Sequence, residues 1–376
     1  MEKTDARRLL EPLMRCPTAP YHEDAVADYI AATVAGFGLD TTTDSYGNLI
    51  VRRPSTGRTT TRLAFMAHMD HPGFEVTAVG PDGVVAAWHG GVQPEYFTNA
   101  RVRFHAGGQV ARGAIRTAAL TEDRTHVKSV VAECDGAPPV GALGVWDLPD
   151  VEFTNGSVRA PAIDDLAGCG VILAMLADLR GRQLDAEVWA FFTRAEEVGF
   201  IGAVGLARSG RLPLSLPIVS IEMSKAMPGA TQGMGPVIRL GDRSSVFDQS
   251  MLLFARDTAA ELKEEREGFK YQRLLMDGGS CEATALNAFG FRTAGLALAL
   301  SNYHNQAPAG PNGPWTIDAE EINFSDFLHA VDLAVAMCER FPGLQRVMDR
   351  HRRTLLERTG DRLVRLQRQQ RERERR

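Results

Sequence analysis

Two adjacent carboxylates, Glu196 and Glu197, close the run Ala186-Glu187-Val188-Trp189-Ala190-Phe191-Phe192, whose aromatic and β-branched residues predict a buried strand. An isolated charge at the mouth of such a strand is expensive. The pair therefore needs a cation, a proton, or the first turn of the helix that Gly199, Gly202 and Gly205 introduce. One carboxylate of such a pair can hold a metal while its neighbour moves a proton. Three further apolar strands deliver metal-capable side chains at the same place. Residues 62–67 lead into His68, residues 217–221 into Glu222, and residues 293–300 into Ser301-Asn302-Tyr303-His304. Asp164 stands just before an apolar helix expected over 166–175.

In an open α/β sheet, ligands bind outside the carboxyl ends of the strands, so all these side chains are expected to face one crevice. Two imidazoles and three carboxylates suit zinc or a similar divalent ion. Five protein ligands are too many for one catalytic zinc with an open position, but they suit two ions bridged by a carboxylate. The expected assignment has Asp164 bridging, His68 and Glu222 on one ion, and Glu197 and His304 on the other. Glu196 is then free to act as general base. Asp70, two residues beyond His68, is expected to point the same way and accept the other ring N–H of His68. His71 precedes Pro72 and reads as a turn residue outside the site. A lone His-x-Asp is more often surface chemistry; recurrence at one structural position on separate strands is what points to a site.

The elements that must position these groups alternate helix and strand. Helices are expected over 5–14, with Asp5 as cap, and over 22–34, followed by a hairpin through Tyr46-Gly47-Asn48 and the strand over 62–67. Between residues 74 and 161 the texture changes to short alternating runs and Gly-rich turns, which predicts a small all-β module. The α/β pattern then resumes, with helices expected over 247–266, 280–289 and 319–340. The fold class is therefore α/β, with a catalytic domain made of residues 1–73 and 162–345 and a β domain, 74–161, inserted in it. Two domains suit 376 residues.

The blocks Ala67-His68-Met69-Asp70-His71-Pro72-Gly73, Ile163-Asp164-Asp165-Leu166-Ala167-Gly168-Cys169, Thr193-Arg194-Ala195-Glu196-Glu197-Val198-Gly199, Ser220-Ile221-Glu222 and Tyr303-His304 resemble, in order, the metal-site motifs of the M42 metallo-aminopeptidases, relatives of the M20 peptidases and deacylases. The resemblance reaches to about residue 343. It implies a zinc-peptidase-like α/β/α sandwich with a mixed central sheet and a barrel-like insertion that serves dimerisation or acts as a lid. It also implies two Zn2+ or Co2+ ions per subunit, hydrolysis of N-terminal residues from peptides through a metal-bridging hydroxide, a cis peptide between Asp164 and Asp165, and homo-oligomers from dimer to hollow dodecamer. Glu222 departs from the family, where Asp is typical, and is similar instead to M20 deacylases. Gly278-Gly279-Ser280-Cys281-Glu282 stands where a Gly-Gly-Thr-Asp type of segment is expected. An amidase or deacylase acting on acylated amino acids is the alternative, and a scaffold without chemistry is a third reading disfavoured by the complete ligand set.

The remaining features are quieter. A hydrophobic share of 44% and a formal charge of -5 describe a globular protein with no bias toward nucleic acid. Five cysteines without paired spacing argue against a disulfide framework, and Cys169 and Cys281 read as small apolar fillers. No run is long enough to span a bilayer and no signal-peptide core is visible, so no membrane partner and cytoplasmic residence are expected. Trp88, Trp146 and Trp315 are expected in the β module or at the site rim, and 261–267 on a solvated helix face. The tail 346–376 is dense in arginine, with Leu355, Leu356, Leu363 and Leu366 at helical spacing, and reads as a self-association helix or a basic arm.

Overall fold

The computed structural model describes residues 2–57, 61–307 and 315–375. Its centre is an eight-stranded mixed sheet. Four parallel strands, Glu187–Thr193, Arg62–His68, Ile218–Lys225 and Thr293–Leu300, lie side by side in its middle, flanked by antiparallel neighbours. Side chains alternate across these strands. Leu63, Phe65, Ala67, Val188, Ala190 and Phe192 face one apolar core, built with the helices Leu166–Asp178 and Phe324–Arg340. Ala64, Met66, Trp189, Phe191 and Ile218 face another, under the helices Ile201–Arg208 and Glu282–Ala288. This is the expected α/β sandwich, and every residue of Thr293–Leu300 is buried, as an all-apolar central strand requires.

Six strands from Gly73 to Trp146 close an antiparallel barrel. Its interior is aromatic: Phe74, Trp88, Phe97, Phe104 and Trp146 pack edge to face or tilted, with ring centroids of Phe74 and Trp88 4.6 Å apart. Gly144 is obligatory at this point, since a Cβ there would meet Phe104 at 2.5 Å. The expected boundary at residue 161 is corrected. Strands Glu152–Thr154 and Ser157–Ala160 pair with Glu320–Asn323, and Val158 and Ala160 pack in the core of the α/β body. They alternate like barrel strands because they too cover one apolar face.

Helix ends also differ from expectation. The helix expected over 319–340 starts at Phe324, because Asn323 caps it by accepting from the amides of Ser325 and Asp326, leaving 320–323 to the small sheet. The first helix is Lys3–Leu13, so Asp5 sits inside its first turn rather than at its cap. The arginine-rich tail forms one helix, Leu344–Glu374. Its first turns bind the helix Gln249–Glu265, through Arg350 to Glu261 at 3.2 Å and His351 to Asp257 at 3.6 Å. Glu261 and Glu265 also meet Arg340, so that face is paired as well as solvated. Leu355, Leu356, Leu363 and Leu366 are exposed.

Candidate metal centre

His68 is the last residue of its strand and lies across from Thr193, where the neighbouring parallel strand ends. Beyond Thr193 the chain turns before the next helix begins at Ile201, so Glu196 and Glu197 belong to a loop and not to a helix cap. That loop is held by its amides. Arg194 N donates to Asn48 Oδ1 at 3.1 Å, Ala195 N to Glu23 Oε1 at 2.9 Å, Glu196 N to Asp70 Oδ1 at 2.9 Å and Glu197 N to Asp70 Oδ2 at 3.0 Å. Four successive donors thus meet acceptors from three other segments, which fixes both carboxylates. Gly202 lets the following helix close on this loop, since a Cβ there would lie 2.6 Å from the Arg194 backbone.

Asp164 is where the two histidines meet. Its Oδ1 lies 3.5 Å from His68 Nε2 and its Oδ2 3.6 Å from His304 Nε2. Glu222 completes the first group, with Oε1 3.2 Å from His68 Nε2, and Glu197 the second, with Oε1 3.2 Å from His304 Nε2. In each group one ligand atom from every residue lies within 4.8 Å of the others. Glu196 Oε2 is farther from His68 Nε2, at 3.9 Å, although His68, Glu196 and Glu197 also lie within the same 4.8 Å of one another. The structure therefore brings together all the residues singled out from the sequence: His68, Asp70, Asp164, Glu196, Glu197, Glu222 and His304.

The donor set fits cations. Among the described residues, Asp164 Oδ1, Glu197 Oε1, Glu222 Oε2 and His304 Nε2 are buried with no hydrogen-bond partner, although charged or polar neighbours surround each. Orphaned buried acceptors and imidazole nitrogens turned toward one point are costly unless an ion sits between them. Burial would discharge both imidazoles, yet the carboxylates prevail. Glu196, Asp164, Asp70 and Glu222 hold the His68 pKa well above its usual value, and Glu197 and Asp164 do the same for His304. Burial raises Asp164 as well, but hydrogen bonds and charge from His304 and His68 outweigh it and hold the carboxyl well below its usual range. Glu196 is pushed well up, first by burial and then by Glu222, Glu197 and Asp70, with His68 offsetting only part.

The role expected of Asp70 is corrected. His68 Nδ1 lies 3.0 Å from the backbone carbonyl of Asp70 and 3.5 Å from its carboxylate, which instead binds the Glu196 and Glu197 amides. His71, set aside in the sequence, is buried and bridges the site: Nδ1 meets the Asp164 carbonyl at 2.6 Å and Nε2 meets Asn305 Oδ1 at 2.9 Å. Glu320 was missed entirely. Its buried carboxylate accepts from the amides of Ile163, Asp164 and His304 at 2.8, 2.9 and 2.8 Å, tying the Asp164 loop to the His304 turn. Burial pushes its pKa up to about 7. The Asp164–Asp165 peptide is cis, as the family resemblance implied.

Above these groups opens a cavity of about 520 Å³, lined also by Met223, Arg239, Met276, Gly279 and Tyr303. Arg239 is buried, and among the described residues its guanidinium makes no hydrogen bond, with Nε orphaned. Trp315 lies away from this cavity, half-exposed against Tyr96. Cys169 is more than filler, since its thiol donates to the His68 carbonyl at 3.2 Å.

A family model described as M42 glutamyl aminopeptidase matches residues 47–135 and 137–309, well over half of the chain and every candidate ligand above. The chain belongs to the M42 peptidase family. It is accordingly a peptidase, of aminopeptidase type. Among its relatives, a protein of Acetivibrio thermocellus is 24% identical over 360 residues, covering 90% of this chain and 100% of that one. A glutamyl aminopeptidase of Lactococcus lactis subsp. cremoris is 23% identical over 281 residues, covering 69% and 78%. The fold is shared with an aminopeptidase from Desulfurococcus kamchatkensis, at TM-score 0.74, 21% identity and coverage of 90% and 95%. The TET1 peptidase of Pyrococcus horikoshii, described as assembling into a tetrahedron or a large octahedral shell, matches at TM-score 0.71, 22% identity and coverage of 90% and 99%. No helix among the described residues is long and apolar enough to cross a membrane.

Proposed function

We propose that this M42 peptidase is a dinuclear metal-dependent aminopeptidase. The observation that carries the reading is the division of Asp164 between two ligand groups, one oxygen facing His68 and Glu222, the other facing His304 and Glu197. Two divalent ions held there, Zn2+ by the nature of the donors and Co2+ as the alternative, supply Lewis acidity for water and for the scissile carbonyl. Glu196, outside both of these groups, takes the proton of the attacking water and returns it to the leaving amine. Asp70 holds Glu196 and Glu197 at fixed angles through their amides. Cytoplasmic residence and a homo-oligomer joined through the barrel complete the reading.

Arg239 narrows the substrate. A buried guanidinium without an acceptor among the described residues, in the wall of the cavity, suits a carboxylate on the N-terminal residue, in keeping with the glutamyl preference in the family description. A second reading rests on Glu222: its extra methylene relative to the Asp typical of the family alters how a substrate amine is held, so an acylated amino acid is the competing substrate. Aminoacyl reporter amides with free and with blocked N-termini, assayed on the metal-loaded chain, separate the two. Cleavage of free Glu and Asp reporters ahead of neutral ones supports the proposal. Cleavage of blocked compounds alone transfers the assignment to a deacylase.

A further inference from the structure

Tyr303 stands in the wall of the same cavity with no partner for its hydroxyl among the described residues. It lies in a turn where Asn302, His304 and Asn305 all have positive φ, at 53°, 54° and 62°. Side chains in this region of the map carry strain, which persists only where the surroundings fix it. Here they do. Asn302 Nδ2 donates to the Ala319 carbonyl, His304 N to Glu320 and Asn305 Nδ2 to the Pro161 carbonyl, each at 2.8 Å. The turn lays the phenol ring on the His304 imidazole, with centroids 3.9 Å apart and planes 21° apart. The ring also packs on the α/β core, yet among the described residues the hydroxyl makes no hydrogen bond. The charges that act on it are those of Asp164, Glu197, Glu196 and Glu222, the ligands and the base themselves.

A phenol keeps its proton to about pH 10, so at neutral pH this group is a donor with no partner among the described residues. The hydroxyl opens on the cavity that holds the candidate ligands, where a substrate oxygen can take the place of water as its acceptor. We propose that the Tyr303 hydroxyl donates to the oxygen of the scissile carbonyl as charge develops there. As the water oxygen bonds to carbon, the carbonyl π pair moves onto oxygen and meets this hydrogen bond, while Glu196 holds the water proton. When the C–N bond breaks, the pair returns to re-form the carbonyl and the proton passes from Glu196 to the amine. Tyr303 keeps its own proton throughout. The inference rests on the hydrolytic reading above, and it competes with a simpler role in which the ring only backs His304.

Tyr303→Phe keeps the ring and deletes the donor, and Tyr303→Ala deletes both. The test uses the full-length, metal-loaded chain and measures metal content, kcat and KM on the best reporter amide, and affinity for two ligands: the free product amino acid and an aminoalkyl phosphinate that mimics the tetrahedral intermediate. Y303F is expected to retain its metal and bind the amino acid like wild type. Its kcat falls by about a hundredfold, with KM little changed, and its phosphinate affinity falls by a similar factor. If kcat and phosphinate affinity of Y303F stay within twofold of wild type while Y303A loses metal, the ring is only a backing plate and the proposal is overturned. A wild-type chain that cleaves no reporter defeats the hydrolytic reading, and this proposal with it; wild-type turnover matched by Y303F defeats this proposal alone.

Discussion

The two halves of the proposed metal centre are built by different means. The His68 half grows out of the central sheet: His68 ends a strand paired along its whole length with Glu187–Thr193, and its amide and carbonyl bind Asp165 at 3.3 Å and Cys169 at 3.2 Å in the core. The His304 half lies past the end of its strand, in a left-handed turn. There Glu320 takes the His304 amide, and the barrel supplies the carbonyl of Gly91, 2.9 Å from His304 Nδ1. One histidine is placed by backbone pairing, the other by side chains and by a loop of the inserted domain. Backbone ladders are cooperative, whereas a turn of this kind is only as stable as its individual acceptors. The His68 half should therefore tolerate nearby changes that the His304 half does not.

The largest break in that contrast is expected from Glu320→Ala. It strands three buried amides, each costing about 1–3 kcal/mol, so a clear drop in Tm is expected. Elemental analysis should find one ion per chain, retained by the His68 half; loss of both ions, or of neither, would dissolve the distinction. Removal of the His71 bridge is milder. His71→Ala should weaken binding of the less tightly held ion by about 10–100-fold, read from a chelator titration of activity and metal content.

A pH experiment probes the sheet side. Thr193, across from His68, donates its hydroxyl to Glu282 at 2.5 Å, and burial pushes the Glu282 pKa up to about 8. The folded chain then binds more protons than the unfolded one between the usual carboxyl pKa and about 8. The Glu282 contribution to the stability of the metal-free protein should accordingly fall as pH rises across that window, in the same direction as those of Glu320 and Glu196. Glu282→Gln, which keeps an acceptor for Thr193, should flatten this fall in denaturant melts at pH 5 to 9. The smallest effect is expected from deleting 354–376, whose leucines are exposed and far along the last helix from the site. Metal content and kcat/KM should stay within about twofold, with any change confined to oligomer size in light scattering.

This contrast also explains what could be read from the chain alone. The parallel strands were legible because apolar runs such as Thr293–Leu300 have no other stable place, and ligands at their ends inherit that clarity. His304 was legible only as a histidine soon after a strand. Glu320, Glu23 and Arg239 carry no positional mark, because their roles come from segments far apart in sequence converging on one carboxylate or one cavity. Glu320 was further masked by the helical stripe that runs on through 320–323. Asn323, three residues before Asp326, is the capping signal that marks the true helix start. The barrel's end was misplaced because the strands at 152–160 alternate just as the barrel strands do, and only their partner, Glu320–Asn323, tells them apart.

The central claim is that two cations occupy the five ligands while Glu196 remains free to carry the proton. The most direct measurement is the metal content of Glu196→Gln beside its turnover of a free aminoacyl amide. Two ions per chain with kcat lowered by about a hundred- to ten-thousandfold is the predicted result. Activity equal to wild type, or loss of an ion with the substitution, would contradict it.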